Sequence, residues 1–245
     1  VTARIRGLYG IVDMDTVERL GLEPGAVARA LIAGGIGALQ LRAKERSAAA
    51  TLTWLRSLLE STRSRGIPLF ANDRPDLASL VAVSGVHVGQ EDMPVREVRR
   101  AYPGLKVGVS THDLGQLAAA LAERPDYVAL GPIFPTQSKK NPDPVVGLEV
   151  LRQGAALARE AQVPLVAIGG ITEDRVPEVV AAGAVPALIG ALMPQVGPPD
   201  FLERRAEPGV AGHPCGDPYE EIRRRTERMA RAAADASYRL RSGAA

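Results

Sequence analysis

Gln40, Arg42 and Lys44 stand at alternate positions of one short run, so in an extended strand all three side chains leave the same face. An amide, a guanidinium and an ammonium grouped in this way offer the donors and positive charge that a diphosphate needs. Solvated charges at a strand end are the plainer reading of the same residues. Asp73 and Asp92 follow two later apolar runs. Two such carboxylates can hold Mg²⁺, which typically takes one or two protein carboxylates, waters and substrate phosphate oxygens. Each Asp also lies two residues before a proline, where helix capping is the ordinary role. Their joint position beside the cationic cluster favours the metal. The segment 131–139, GPIFPTQSK, adds Thr136, Ser138 and Lys139, hydroxyl and ammonium groups suited to phosphate, with prolines that restrict the loop. Gly169-Gly170, ahead of a helix expected from Thr172, lets backbone N–H groups approach an anion at a positive helix end; a tight turn is its other use. His87, inside an apolar run, and His112, in a capping loop, read as structural. No Ser-His-Asp order and no acid/base pair of glutamates stands out.

The elements that must position these groups alternate along the chain. Strands are expected at 8–12, 38–42, 69–72, 86–88, 106–110, 127–131, 165–169 and 187–190. Several are apolar without alternation, as strands covered on both sides are. Helices at 26–33, 51–65, 114–123, 148–160 and 176–182 show apolar residues at three- and four-residue spacing. Pro75, Pro94 and Pro177 fit first helical turns. Eight βα units predict an α/β fold closed as a (β/α)8 barrel of the phosphate-binding type, with an open doubly wound sheet as the alternative. The polar residues sit at or just after strand ends: Gln40, Arg42 and Lys44; Asn72 and Asp73; Gln90, Glu91 and Asp92; Ser110, Thr111 and His112; then 136–140 and Gly169-Gly170. In a barrel those loops all open on the C-terminal face, where such enzymes keep their active sites.

Composition narrows the class. The 245 residues suit one barrel, assigned to 1–206, and 46% hydrophobic content gives it a core. A net charge of +2 gives no reason to expect nucleic acid or a membrane as partner; small-molecule substrates are expected, and a homo-oligomer is left open. The single cysteine, Cys215, excludes an intrachain disulfide framework and any zinc site built on two thiolates, and points to a reducing, cytoplasmic setting. No apolar run reaches spanning length, and residues 1–9 lack the apolar core of a signal peptide. Residues 207–245 read as a Gly/Pro linker followed by an Arg-rich helix. Tyr219, Ile222, Thr226, Met229, Ala233, Ala236 and Leu240 form its apolar stripe. The stripe is expected to cover strands eight and one as the barrel's eighth helix; a second subunit is the other place for it.

Six ordered segments give the chain a family likeness. Residues 39–44, LQLRAK, resemble a Q-x-R-x-K signature, and 72–78, NDRPDLA, resemble N-D-R-x-D-x-A. Residues 85–92, GVHVGQED, and 108–112, GVSTH, are similar to the fourth- and fifth-strand motifs. GPIFPT at 131–136, with Ser138-Lys139 and Gly147-Leu148, and IGGI at 168–171 complete the set. Across roughly 8–192 the chain resembles the thiamine phosphate synthase family.

The resemblance implies a transferase that joins an aminopyrimidine diphosphate to a thiazole phosphate, or its carboxylated form, releasing pyrophosphate. It implies that Gln40, Arg42, Lys44 and Asn72 hold the pyrimidine diphosphate, with Tyr9 packed near the ring, and that Asp73 and Asp92 bind Mg²⁺. Ser110 and Lys139 would meet the leaving pyrophosphate. Thr136, Ser138, Gly169 and Gly170 would bind the thiazole phosphate. Lys139, Ser110 and Arg42 would carry catalysis, which is a dissociative substitution needing no protein nucleophile. Two features depart from the family pattern. Gly190 stands where a serine is usual near the end of strand eight, leaving a backbone N–H there, and 193–245 has no counterpart. A thiazole tautomerase-like isomerase is the alternative. It would want a histidine in the loop holding Pro132 and would not need both aspartates. A non-catalytic phosphate-binding barrel is the third reading.

Overall fold

The computed structural model describes residues 5–136, 143–194 and 217–242. Eight short strands pair in parallel: β1 (Tyr9–Asp13), β2 (Ala38–Arg42), β3 (Leu69–Asn72), β4 (Gly85–Val88), β5 (Lys106–Thr111), β6 (Tyr127–Leu130), β7 (Leu165–Ile168) and β8 (Val185–Leu188). β8 returns to pair with β1, so the sheet closes into a barrel. Parallel neighbours need a crossover, and helices supply it. These are α1 (Met14–Arg19), α2 (Pro24–Ala33), α3 (Ala48–Arg63), α4 (Pro75–Val81), α5 (Val95–Ala101), α6 (Leu114–Ala122), α7 (Gly147–Glu160), α8 (Val176–Ala181) and, after β8, α9 (Pro218–Ser242).

Strand alternation divides the buried residues into two cores. Leu39, Leu41, Leu69, Val86, Val107, Val128 and Leu165 face outward and pack with the helices. Tyr9, Ile11, Ala38, Phe70, Tyr127, Ala129, Val166 and Ala187 face inward and fill the barrel. The same two-residue period that sends Leu39 and Leu41 outward sends Gln40 and Arg42 inward. In register, Ile11 lies opposite Gln40 and Asp13 opposite Arg42, so the upper ends of β1 and β2 rise together.

The expected elements shift in places. Strand eight lies at Val185–Leu188, not 187–190, and Gly190 opens a 3₁₀ turn, Gly190–Leu192. Pro186 has no N–H for the ladder, which disguised the start of this strand in the sequence. β6 and β7 each stop one residue early, leaving Gly131 and Gly169 to the loops, and β1 runs one residue further than expected, to Asp13. Pro75 and Pro177 do open their helices, whereas Pro94 is the residue before α5.

α9 packs against α2, α8 and the 190–192 turn. Of the expected stripe, Ile222, Thr226, Met229 and Ala233 are buried, while Leu240 is exposed. The contact with α2 is close: a Cβ on Gly34 would overlap Thr226. The Tyr219 hydroxyl accepts a hydrogen bond from the Glu23 backbone N–H (2.9 Å). Along the helix, Arg224–Glu220, Arg225–Glu221 and Arg231–Glu227 pair one turn apart. Residues 207–216, with Cys215, lie outside the described residues. Among those described, no helix is long and apolar enough to cross a membrane.

Ile222 is fully buried where α9 meets the barrel. Ile222→Ala is expected to lower unfolding free energy by about 2–5 kcal/mol, the range for buried aliphatic truncations, as read from urea unfolding. A loss below about 0.5 kcal/mol, the scale of surface changes, would show that α9 adds little to the fold.

Candidate active site

The floor of the barrel mouth is a chain of side-chain hydrogen bonds. Gln40 Nε2 donates to the Tyr9 hydroxyl (2.9 Å), which lies 2.8 Å from the Tyr127 hydroxyl. The Tyr127 oxygen is 2.8 Å from His87 Nδ1, and His87 Nε2 is 2.8 Å from Ser110 Oγ. Phe70 packs against both tyrosine rings. Tyr127 can lie across the barrel because β5 has a glycine beneath it; a Cβ on Gly108 would fall inside the Tyr127 ring. Burial raises the pKa of both tyrosines and pushes His87 down to about 4. The floor is therefore neutral near pH 7, and the charges of the site all belong to its rim.

The rim holds the charged residues at the tops of β1 to β4. Arg42 donates to Asp13 Oδ1 at 2.6 Å, and Asp13 Oδ2 accepts from the Thr16 backbone N–H (3.2 Å) and hydroxyl (2.7 Å). Asp13 is buried, so this pair fixes the guanidinium at the mouth. Lys44 Nζ lies 3.3 Å from Asp73 Oδ2. Asp73 has φ +61°, and α4 begins after Arg74 with no side-chain cap, so Asp73 caps nothing. Asp92 folds back to accept from the Gly89 backbone N–H (2.7 Å) and likewise caps no helix. The Asp73 backbone N–H donates to the His87 carbonyl (2.8 Å), which ties β3 to β4 directly below the carboxylates. Burial, and then the hydrogen bond and negative charge of Asp92, raise the Asp73 pKa to about 6, against a smaller opposing effect of Lys44.

Two carboxylates pressed together are under-neutralised and suit a hard divalent cation. Among the described residues no third His, Cys, Asp or Glu joins them, which leaves further positions for water and phosphate oxygens. Asn72 ends β3 opposite His87. Gln90 Nε2 donates to the Ser110 carbonyl, holding the far side of the mouth.

The loops after β6 and β7 form the other wall. The Ile133 and Phe134 N–H groups donate to the carbonyls of Ile168 (2.9 Å) and Gly169 (3.0 Å). Gly169 and Gly170 both have positive φ, and a Cβ on Gly170 would overlap the Pro135 carbonyl oxygen. The Arg175 guanidinium donates to the Gly170 carbonyl (2.9 Å) and lies 4.3 Å from the Phe134 ring centre, so it clasps both loops. The helix expected from Thr172 starts only at Val176, after the 3₁₀ turn Glu173–Arg175. The Thr172 hydroxyl donates to Asp174 Oδ1 (2.6 Å) ahead of that turn. Thr136 ends the described part of the β6 loop; Ser138 and Lys139 lie outside the described residues. Among the described residues, a Cβ placed on Gly190 would meet no atom within 4 Å. His112 Nδ1 bonds the Gly131 carbonyl (2.7 Å) and lies 3.4 Å from Asp143, so it braces both flanks of the loop.

The barrel therefore gathers Tyr9, Gln40, Arg42, Lys44, Asn72, Asp73, Asp92 and Ser110 at one end, with Thr136, Gly169 and Gly170 on the facing wall. Sequence reasoning missed Asp13 and Tyr127, and it read His87 as structural. The signal was present: strand parity places Tyr127 on the same face as Ala129, and Gly108 sits one strand away in register with Tyr127.

The family model described as Thiamine monophosphate synthase matches residues 8–191. A thiamine-phosphate synthase from Anaeromyxobacter dehalogenans is 44% identical over 199 residues, covering 79% of this chain and 85% of that protein. One from Koribacter versatilis is 44% identical over 183 residues, covering 72% and 83%. Among solved structures, a thiamine phosphate pyrophosphorylase from Pyrococcus furiosus superposes with a TM-score of 0.74 at 29% identity, covering 96% of this chain and 99% of that one.

The carboxylate pair makes its own test. Asp92→Asn removes the neighbouring charge and is expected to lower the Asp73 pKa from about 6 toward the ordinary carboxylate range, read by NMR titration of the side chain without added metal. In the wild type, folding takes up a proton here, so this group favours the fold at low pH and that contribution is lost as pH rises through about 6. An Asp73 pKa unchanged by the substitution would show that the two carboxylates are not coupled.

Proposed function

We infer that this chain, which belongs to the thiamine monophosphate synthase family, is a thiamine-phosphate synthase whose barrel mouth joins a pyrimidine diphosphate to a thiazole phosphate. The observation that supports this most is the Asp73–Asp92 pair, set beside Lys44 and above a neutral floor that ends at Ser110. That layout separates a diphosphate–cation site from an uncharged ring pocket.

In the first step the bond between the pyrimidine's exocyclic methylene and the diphosphate oxygen breaks. The electron pair leaves with pyrophosphate, and the ring's amino group supports the resulting cation. Arg42, Lys44 and Lys139 oppose the negative charge that grows on the leaving group, and Ser110 donates to it; stabilising developing charge is commonly the main source of such catalysis. Arg42 is ready for this because Asp13 holds it at the mouth. Mg²⁺, held by Asp73 and Asp92, would add neutralising charge at the same oxygens. In the second step the thiazole nitrogen captures the cation. Thr136, Ser138 and the backbone N–H groups of Gly169, Gly170 and Gly190 hold the thiazole phosphate so that the two rings meet; such positioning supplies much of the remaining acceleration. Tyr9 and Gln40 line the ring side of the pocket with Asn72 above them. No protein nucleophile or strong base is required. The buried phenols and imidazole, neutral near pH 7, fit a pocket that shelters a cation from water.

Purified protein given Mg²⁺ and both substrates is expected to release pyrophosphate with thiamine phosphate in equal amount. Asp92→Ala should lower turnover on the order of 100-fold at saturating substrate. Lys139→Ala should lower kcat more than it raises KM for the thiazole phosphate, because its partner is charge that grows during reaction. Absence of pyrophosphate release under these conditions would refute the assignment. An effect of Lys139→Ala confined to KM would make that residue a ground-state anchor only.

A further inference from the structure

We propose that His87 is a positioning residue that aims the Ser110 hydroxyl at the leaving pyrophosphate, through a hydrogen-bond chain with one fixed direction. The inference rests on the role given to Ser110 above. Each member of the chain has one hydrogen to give along it. Gln40 Nε2 donates to Tyr9, which leaves the Tyr9 hydrogen to go onward to Tyr127. Tyr127, having accepted from Tyr9, donates to His87 Nδ1. An imidazole that accepts at Nδ1 holds its proton at Nε2 and donates from there to Ser110 Oγ. The Ser110 oxygen is then occupied as an acceptor on the His87 side, and its own hydrogen is left for a partner above.

An anion over Ser110 selects that direction. Were the chain reversed, Ser110 would give its hydrogen to His87 and present only lone pairs to the pyrophosphate. The geometry holds His87 in place from three sides. Its ring stacks on Tyr127 with centres 5.5 Å apart, its carbonyl accepts from the Asp73 N–H, and both ring nitrogens are bonded. The Ser110 carbonyl is pinned separately by Gln90, so the backbone under the hydroxyl cannot swing to compensate. Linked bonds of this kind polarise one another, and a hydroxyl that accepts from His87 is a better donor to its next partner.

The test separates the two nitrogens. His87→Asn retains a polar atom near Nδ1, facing Tyr127, and loses the one that reaches Ser110. His87→Gln carries its amide nitrogen close to the position of Nε2. His87→Asn is expected to lower kcat about 10-fold or more, with a smaller change in KM for the pyrimidine diphosphate, and His87→Gln to recover most of that loss. Against a Ser110→Ala background His87→Asn should cost less than about 2-fold, because residues that act as a unit are not additive. Tyr127→Phe keeps the ring over Gly108 while removing the donor to Nδ1. It should show the same dependence on Ser110, and it decides the matter if His87→Asn does not fold. Equal losses for Asn and Gln, or a full loss from His87→Asn or Tyr127→Phe with Ser110 already removed, would overturn the proposal. A Ser110→Ala enzyme with unchanged kcat would overturn it by a different route, by removing the role of Ser110 itself.

Discussion

A buried chain of hydrogen bonds from Gln40 through Tyr9, Tyr127 and His87 to Ser110 crosses the barrel, and the working face stands on it. Buried polar groups are costly unless every one is paired. Here five side chains from five strands satisfy one another, and that mutual pairing fixes their rotamers. The arrangement also requires room. Tyr127 needs the glycine at 108, and both tyrosine rings pack against Phe70. Removing the polar group from any of the five leaves a neighbour's donor or acceptor stranded in the barrel, where desolvation makes it most expensive.

Above that floor the electrostatics change character. The interior is neutral because burial raises the phenol pKa values and lowers that of the imidazole. The rim is densely charged, with Asp13 holding Arg42, Lys44 beside Asp73, and Asp73 against Asp92. A substrate with an uncharged ring and a diphosphate fits that division along its own length. The same parallel register that closes the barrel brings these groups to one end, since β1 to β8 all finish there. On the opposite wall Arg175 joins the Gly170 carbonyl to the Phe134 ring, tying the start of the β6 loop to the loop after β7. Arg228 of α9 in turn pairs with Glu173, which links the terminal helix to the wall.

The architecture was legible in the sequence because its signals are local. Apolar runs of strand length alternate with helical periods, and polar residues cluster after the runs. The placement of Gln40, Arg42, Lys44, Asp73, Asp92 and Ser110 followed from strand parity and chain order alone. Where the reading slipped, a local rule competed with a tertiary one. Pro186 looked unlike a strand residue, yet the closed barrel accommodates it. At Asp73, by contrast, the sequence weighed a local cap against a site shared with Asp92 and favoured the shared site, and the left-handed backbone there carries its carboxylate to Asp92. Asp13 and Tyr127 were overlooked for a different reason. Their partners on other strands lie 29, 40 and 118 residues away along the chain, and no spacing rule marks such pairs. Gly108, the one local trace of Tyr127, is meaningful only once β5 and β6 are known to be neighbours.

The mouth is expected to bind a divalent cation and a diphosphate together, on the carboxylate pair and the Ser110 side of the floor. Diffraction from a crystal soaked with Mn²⁺ and pyrophosphate, recorded at a wavelength where manganese scatters anomalously, tests this directly. The expected result is one anomalous peak bonded to oxygens of Asp73, Asp92 and pyrophosphate, with the anion within hydrogen-bond reach of Ser110 Oγ and Arg42. A peak that engages neither carboxylate, or pyrophosphate bound away from Ser110 and Arg42, would contradict it.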